Sequence, residues 1–261
     1  MRLVIATRCL THRVTIEGPY GEHLNGRDAM KKLGLIGGMS WESTVSYYQA
    51  LNRGVNHALG GLHSAPLLLS SVDFAPIAQL QHENNWDTLG NMLAEEAKAL
   101  ERAGADAVLI CTNTMHNVAN AVISATSLPL LHIADATGEA LNKDKVHTVG
   151  LLGTQFTMSQ PFYKDRLKDK FNIEVVVPSA EQQTIVHNII YEQLCKGVIC
   201  AKSREAYINV INDLAAQGAE GVILGCTEIA LLVQQPHTTV RLYDTTAIHA
   251  KRAVEFILHG A

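Results

Sequence analysis

Leu33-Gly34-Leu35-Ile36-Gly37-Gly38 is a short apolar run broken by two glycines, and its pattern returns 116 residues later as Val149-Gly150-Leu151-Leu152-Gly153-Thr154. Too short for a helix and closed by glycine, such a run reads as a buried strand. A second match keeps nearly the same spacing: Ala103-Gly104-Ala105-Asp106-Ala107-Val108-Leu109-Ile110 corresponds to Gln217-Gly218-Ala219-Glu220-Gly221-Val222-Ile223-Leu224 at an offset of 114. Two matches in order at almost one offset predict duplicated lobes, because a period this long is a domain duplication and not a solenoid. Chance likeness between two buried strand-helix units is the alternative. Working outward, Ser40 is placed to cap a helix from Trp41, with an apolar stripe of Trp41, Val45, Tyr48 and Val55. A second helix carries Trp86, Leu89, Leu93, Ala97 and Leu100, ends at Ala103-Gly104 and feeds the strand run Ala107 to Cys111. Later helices carry Ile185, Ile189 and Leu194, then Tyr207, Val210, Ile211 and Leu214. Short apolar strands alternating with amphipathic helices predict an α/β fold of two similar lobes. Each lobe is then a mostly parallel sheet flanked by helices, with ligands at the carboxyl ends of the strands.

The boundaries expected from this pattern are a first lobe over residues 30–145, a second over 146–244, and a last helix over 245–261 that crosses back to the first lobe. Residues 1–29 have no helical or strand period and hold a turn-like run from Glu17 to Gly21, so they read as a leader ahead of Met30. An edge strand at Leu3 to Ala6 is the alternative there.

Composition narrows the partners. Hydrophobic residues at 47% and charged residues at 18% describe an ordinary globular chain with apolar mass for real cores, which excludes disorder. A net charge of −4 without a long basic run argues against nucleic acid or an anionic membrane as partner. No apolar stretch approaches the roughly 20 residues of a bilayer span. A small polar ligand and a cytoplasmic location are therefore expected. Cysteines at 9, 111, 195, 200 and 226 are odd in number and form no CxxC pair, so neither a disulfide framework nor a zinc knuckle is signalled.

Extending the second match past its strand sets Cys111-Thr112-Asn113-Thr114 opposite Gly225-Cys226-Thr227-Glu228, and Thr112 opposite Cys226. Both positions fall where a strand gives way to a helix. If the lobes face each other, the two side chains approach one ligand from opposite sides. The amide of Asn113, the hydroxyls of Thr114 and Thr227, and the helix-start N–H groups would bind a carboxylate there. A thiol with a reference pKa of about 8.5 suits proton transfer, and a helix N-terminus can lower it into the working range. Cys226 is thus a candidate base, the alternative being a small buried apolar residue. Cys111, inside the apolar strand, points to the core. Gly34 to Ser40 matches neither GxGxxG nor a P-loop, and the 12 histidines form no metal-ligand spacing, so no cofactor or metal is expected. His116 reads as a helix residue or a support for the site, and His132 as a strand residue near the lobe boundary.

Five motifs in order, GLIGGMSWEST (Gly34 to Thr44), GGLHSAP (Gly60 to Pro66), CTNTMH (Cys111 to His116), LHIADAT (Leu131 to Thr137) and GCTE (Gly225 to Glu228), resemble the aspartate/glutamate racemase family from Met30 onward. The resemblance is greatest to the branch described as broad-specificity or L-aspartate/glutamate-specific racemases. It implies lobes related by a pseudo-twofold axis, a homodimer, an amino acid bound between the lobes, and chemistry without pyridoxal phosphate or metal. It also implies two opposed cysteines as acid and base, the first lying directly before Asn-Thr. Here Thr112 holds that place and Cys111 is one residue early. A one-residue shift in a strand turns a side chain to the other face, so Cys111 is no substitute.

By the same resemblance Cys226 takes the α-proton of the L enantiomer and Thr112 serves the opposite face. Asn113, Thr114, Thr227 and the backbone near Met39 bind the carboxylate, and Gln81 reaches the distal end of the substrate. The expected function is a cofactor-independent racemase of L-aspartate, L-glutamate and other amino acids. The competing readings are a one-thiol isomerase or decarboxylase of a dicarboxylate, and a non-catalytic amino-acid-binding paralogue.

Overall fold

The computed structural model describes residues 30–260; the leader, the alternative strand at Leu3–Ala6 and Cys9 lie outside the described residues. The first sheet contains β1 (Leu33–Gly37), β2 (Leu67–Ser71), β3 (Ala107–Ile110) and β4 (Leu130–Leu131), all parallel, in the order β2-β1-β3-β4. The second contains β5 (Thr148–Gly153), β6 (Glu174–Val176), β7 (Val222–Gly225) and β8 (Leu242–Asp244), also parallel, in the order β6-β5-β7-β8. The duplication extends to register. Gly34 pairs with Val108 and Leu35 with Leu109, while Gly150 pairs with Val222 and Leu151 with Ile223, the same pairs displaced by the two sequence offsets. In each sheet the chain moves outward from its first strand and then returns to the other side of it. That reversal leaves a crevice at the carboxyl ends of β1 and β3, and of β5 and β7, where ligands bind in such sheets.

Helices cover both faces of the first sheet, and the strand alternation shows how. Leu33, Leu35, Ala107, Leu109 and Cys111 pack toward α1 (Trp41–Leu59) and α11 (Thr245–His259). Ile36, Val108 and Ile110 pack toward Leu89, Leu93, Ala97 and Leu100 of α3 (Trp86–Arg102). The period-two alternation sends Cys111 into the first layer, and it is fully buried there. Through Ala250, Ala253, Phe256 and Ile257, α11 lies on the first lobe although it follows the last strand of the second.

Ser40 caps α1, its Oγ accepting from the Ser43 N–H. The expected apolar stripe of α1 is corrected by the structure. Trp41, Val45 and Tyr48 are exposed, and the buried face is Ser43, Thr44, Tyr47, Leu51 and Val55. Hydrogen bonds turn the small polar residues inward: Thr44 Oγ1 accepts from the Gly38 N–H (2.8 Å) and donates to the Ser40 carbonyl (2.9 Å). Gly38 is itself obligatory, since it sits at φ +92° and a Cβ there would lie 2.2 Å from the Val72 carbonyl oxygen. Ile185 is likewise exposed, whereas Ile189, Leu194, Tyr207, Val210, Ile211 and Leu214 are buried in the second lobe's core. His132 is no strand residue. It caps α5 (Ile133–Lys143), its Nδ1 accepting from the Ala134 N–H.

Candidate active site

The segments following β1, β3, β5 and β7 meet in one small cavity that opens partly to solvent. Six sequence candidates line it: Met39, Gln81, Thr112, Asn113, Thr114 and Cys226. Thr112 and Cys226 enter from different lobes. Each follows the alternation of its strand, Thr112 with Val108 and Ile110, Cys226 with Val222 and Leu224. Thr227 is revised. Its hydroxyl donates to Glu228 Oε2 (2.7 Å), and the side chain is absent from the cavity lining.

Glu228, which sequence reasoning did not single out, organises the second-lobe side. It is 4% exposed and lines the cavity. Its Oε1 accepts from Ser40 Oγ (2.6 Å), and its Oε2 accepts from Cys226 Sγ (2.9 Å) as well as from Thr227. Burial pushes the Cys226 thiol well above its ordinary range, and the adjacent Glu228 charge and Cys195 push it further. The expected lowering by a helix N-terminus is therefore reversed. The helix that follows, α10 (Ile229–Leu232), is a single turn, and a carboxylate stands between it and the thiol. The internal alignment carried a signal for Glu228, since it falls opposite Thr114.

The two sides of the cavity match in geometry and differ in chemistry. The cap of the first helix of lobe one, Ser40, reaches across to Glu228. In lobe two, the cap of α6 (Gln155–Ser159) is Thr154, and its Oγ1 lies 3.0 Å from Thr114 Oγ1, with Thr157 Oγ1 within 3.2 Å of both. One side is a thiol hydrogen-bonded to a carboxylate; the other is a set of hydroxyls.

Around this frame, His116 donates from Nδ1 to the Thr112 carbonyl (2.8 Å) and accepts at Nε2 from the Ile133 N–H, so it supports the site and is no mere helix residue. Asn113 is 2% exposed, its Nδ2 donates to Thr245 Oγ1 (3.0 Å), and its Oδ1 has no partner among the described residues. From α8 (Ala180–Glu192), the Tyr191 hydroxyl donates to Gln81 Oε1 (3.2 Å), bridging the lobes at the cavity wall. Tyr191 and Cys195 carried no repeat signal. Among the described residues no three His, Cys, Asp or Glu side chains converge as a metal site.

A sequence model described as Asp/Glu/Hydantoin racemase matches residues 36–253. The chain belongs to this family. A crystal structure of a candidate Asp/Glu racemase from Yersinia pestis is 51% identical, with a TM-score of 0.83 over 88% of this chain and 100% of that one. An aspartate racemase homologue from Pyrococcus horikoshii OT3 is 35% identical, with a TM-score of 0.76 over 87% of this chain and 99% of that one. A glutamate racemase from Hydrogenobaculum sp. is 30% identical over 148 residues, 56% of this chain; the match spans about half (55%) of that relative's length. Racemases of this family thus share the two-lobed α/β architecture seen here.

Proposed function

We propose that this chain is a cofactor-independent racemase of L-aspartate, L-glutamate and other amino acids, working with one thiol. The observation that carries the reading is that Cys226 and Thr112 enter one cavity from opposite lobes, with the Glu228 carboxylate hydrogen-bonded to the thiol. In the resting site Cys226 holds its proton. When substrate excludes water, Glu228 takes up the thiol proton and the thiolate removes the α-proton from the L face. Thr112 returns a proton from the other face; when product leaves and water re-enters, Glu228 releases the proton it took from the thiol and Thr112 regains one, which restores the resting site. Thr114 and the backbone near Met39 hold the carboxylate as it gains enolate character, the term that lowers the barrier most. Asn113, expected from the sequence to bind the carboxylate, has its NH2 committed to Thr245, and in this proposal presents its Oδ1 to the α-ammonium instead. Among the described residues no Lys or Arg lines the cavity, so the distal group meets the neutral Gln81 amide, which supports a range wider than acidic side chains.

A homodimer belongs to the same proposal, and the exposed Trp41, Val45 and Tyr48 face of α1 supports a buried contact there. Among the described residues no helix is long and apolar enough to cross a membrane. The direct test is incubation with L-aspartate in D2O, in which loss of the α-proton signal demands chemistry and binding alone leaves it intact. A second reading has its own support. A thiol held above its ordinary range keeps its proton and has it available for a carbanion, as a one-thiol decarboxylase of a dicarboxylate requires. Release of carbon dioxide in place of α-exchange would select it.

A further inference from the structure

The group that orients the Asn113 amide lies far from the sequence motifs, at the first residue of α11. Thr245 is fully buried, and its hydroxyl donates to the Leu224 carbonyl (2.9 Å) on β7, two residues before Cys226. A hydroxyl has one proton. With that proton committed to a carbonyl, the side of Thr245 Oγ1 that meets Asn113 can only accept, so the Asn113 NH2 must face it at 3.0 Å. This removes the usual ambiguity between the two ends of an amide. It leaves Oδ1, buried and without a partner among the described residues, as the end of the amide free for a ligand.

We infer that Thr245 is a positioning residue: through the Leu224 carbonyl it fixes the Asn113 amide so that an acceptor, and not a donor, meets the α-ammonium of the substrate. The inference rests on the amino-acid reading of the cavity. Because Leu224 belongs to the strand that carries Cys226, the same bridge holds the ammonium acceptor of one lobe in register with the thiol of the other. Without the hydroxyl, the amide would be free to turn its NH2 toward the ammonium, and two donors would then face each other.

Binding by calorimetry to the full chain tests this, with L-aspartate and succinate as probes, since succinate keeps both carboxylates and lacks the ammonium. Thr245→Val is expected to weaken L-aspartate about tenfold or more while changing succinate less than about twofold. Thr245→Ser should restore the wild-type preference. If circular dichroism shows that the valine variant does not fold, Thr245→Ala replaces it with the same expectation. Equal weakening of both probes, or no change in either, overturns the positioning role. The two readings fail separately: wild type that binds L-aspartate without exchanging its α-proton counts against racemisation alone, and the comparison of probes still decides Thr245. Wild type that binds neither probe overturns both.

Discussion

Three side chains separate the two faces of the cavity: Thr112 on one, Cys226 with Glu228 on the other. Cys226→Ser is expected to abolish α-proton exchange from L-aspartate with the fold intact by circular dichroism. Glu228→Gln should reduce that exchange about a hundredfold or more, the usual size of a general acid–base contribution, in initial rates followed by proton NMR. A Glu228→Gln variant with wild-type rates would remove the carboxylate from the mechanism. Cys111→Ser places a hydroxyl in an apolar layer, so its expected effect is a loss of about 1–3 kcal/mol in stability with exchange per folded molecule retained. At this scale Thr112 and Cys226 were legible because the duplication sets them opposite each other. Glu228 was harder to see, since a carboxylate beside a thiolate is unfavourable and fits only a thiol that keeps its proton. Tyr191, Cys195 and Thr245 come from segments outside the two sequence matches, and only the fold brings Tyr191 and Cys195 to the cavity and Thr245 behind Asn113.

Strands and helix starts were readable from local chemistry, as the Ser40 cap and the Gly37-Gly38 break illustrate, whereas the inward face of α1 was not. Ser43, Thr44 and Tyr47 are buried by hydrogen bonds rather than by apolarity, and hydrophobic periodicity does not register those. The seam of α1, α5 and α11 contains three buried imidazoles. Tyr47 donates to His249 Nδ1 (2.9 Å), and His249 Nε2 donates to the Leu131 carbonyl (2.8 Å). His116 lies 4.5 Å from His132 and 5.9 Å from His249 by ring centroids. Burial holds His249 down to about 4, and burial with the Arg166 charge holds His132 down to about 2. Their unfolded values lie higher, near 6.5, so between these limits the unfolded chain binds more protons and stability falls as pH falls. His249 alone accounts for about 3 kcal/mol, fully present above pH 6.5 and lost progressively toward pH 4. Urea midpoints at pH 7 and pH 4.5 check this, and equal midpoints would contradict neutral burial. On α1 itself, Leu51→Ala should cost about 2–5 kcal/mol, since Leu51 is fully buried. Tyr48→Glu, on the exposed face, should instead move the mass seen by light scattering from dimer to monomer.

At the scale of the whole molecule, the cavity exists only where the lobes meet. Ser40 to Glu228, Thr114 to Thr154, Asn113 to Thr245 and Gln81 to Tyr191 all join the first lobe to residues after 145. A ligand held by both sides stabilises the joined state. L-aspartate at a hundred times its dissociation constant should add about 2.7 kcal/mol, seen as a rise of several degrees in melting temperature. The two-lobed plan was legible because duplication preserves strand pattern and register; the pairing of cap residues across the lobes was not, because it joins segments remote in sequence. The asymmetry of that pairing is the centre of the proposed mechanism, and early D2O exchange from each enantiomer measures it directly. Mirror-image substrates fix the equilibrium constant at unity, so inversion has equal efficiency in both directions, and asymmetry can appear only in exchange without inversion. L-aspartate should lose its α-proton faster than D-aspartate forms, D-aspartate should exchange no faster than it inverts, and Thr112→Cys should raise D-face exchange while Cys226 still serves the L face. Equal early exchange from both enantiomers in wild type, unchanged by Thr112→Cys, would contradict a one-thiol racemase.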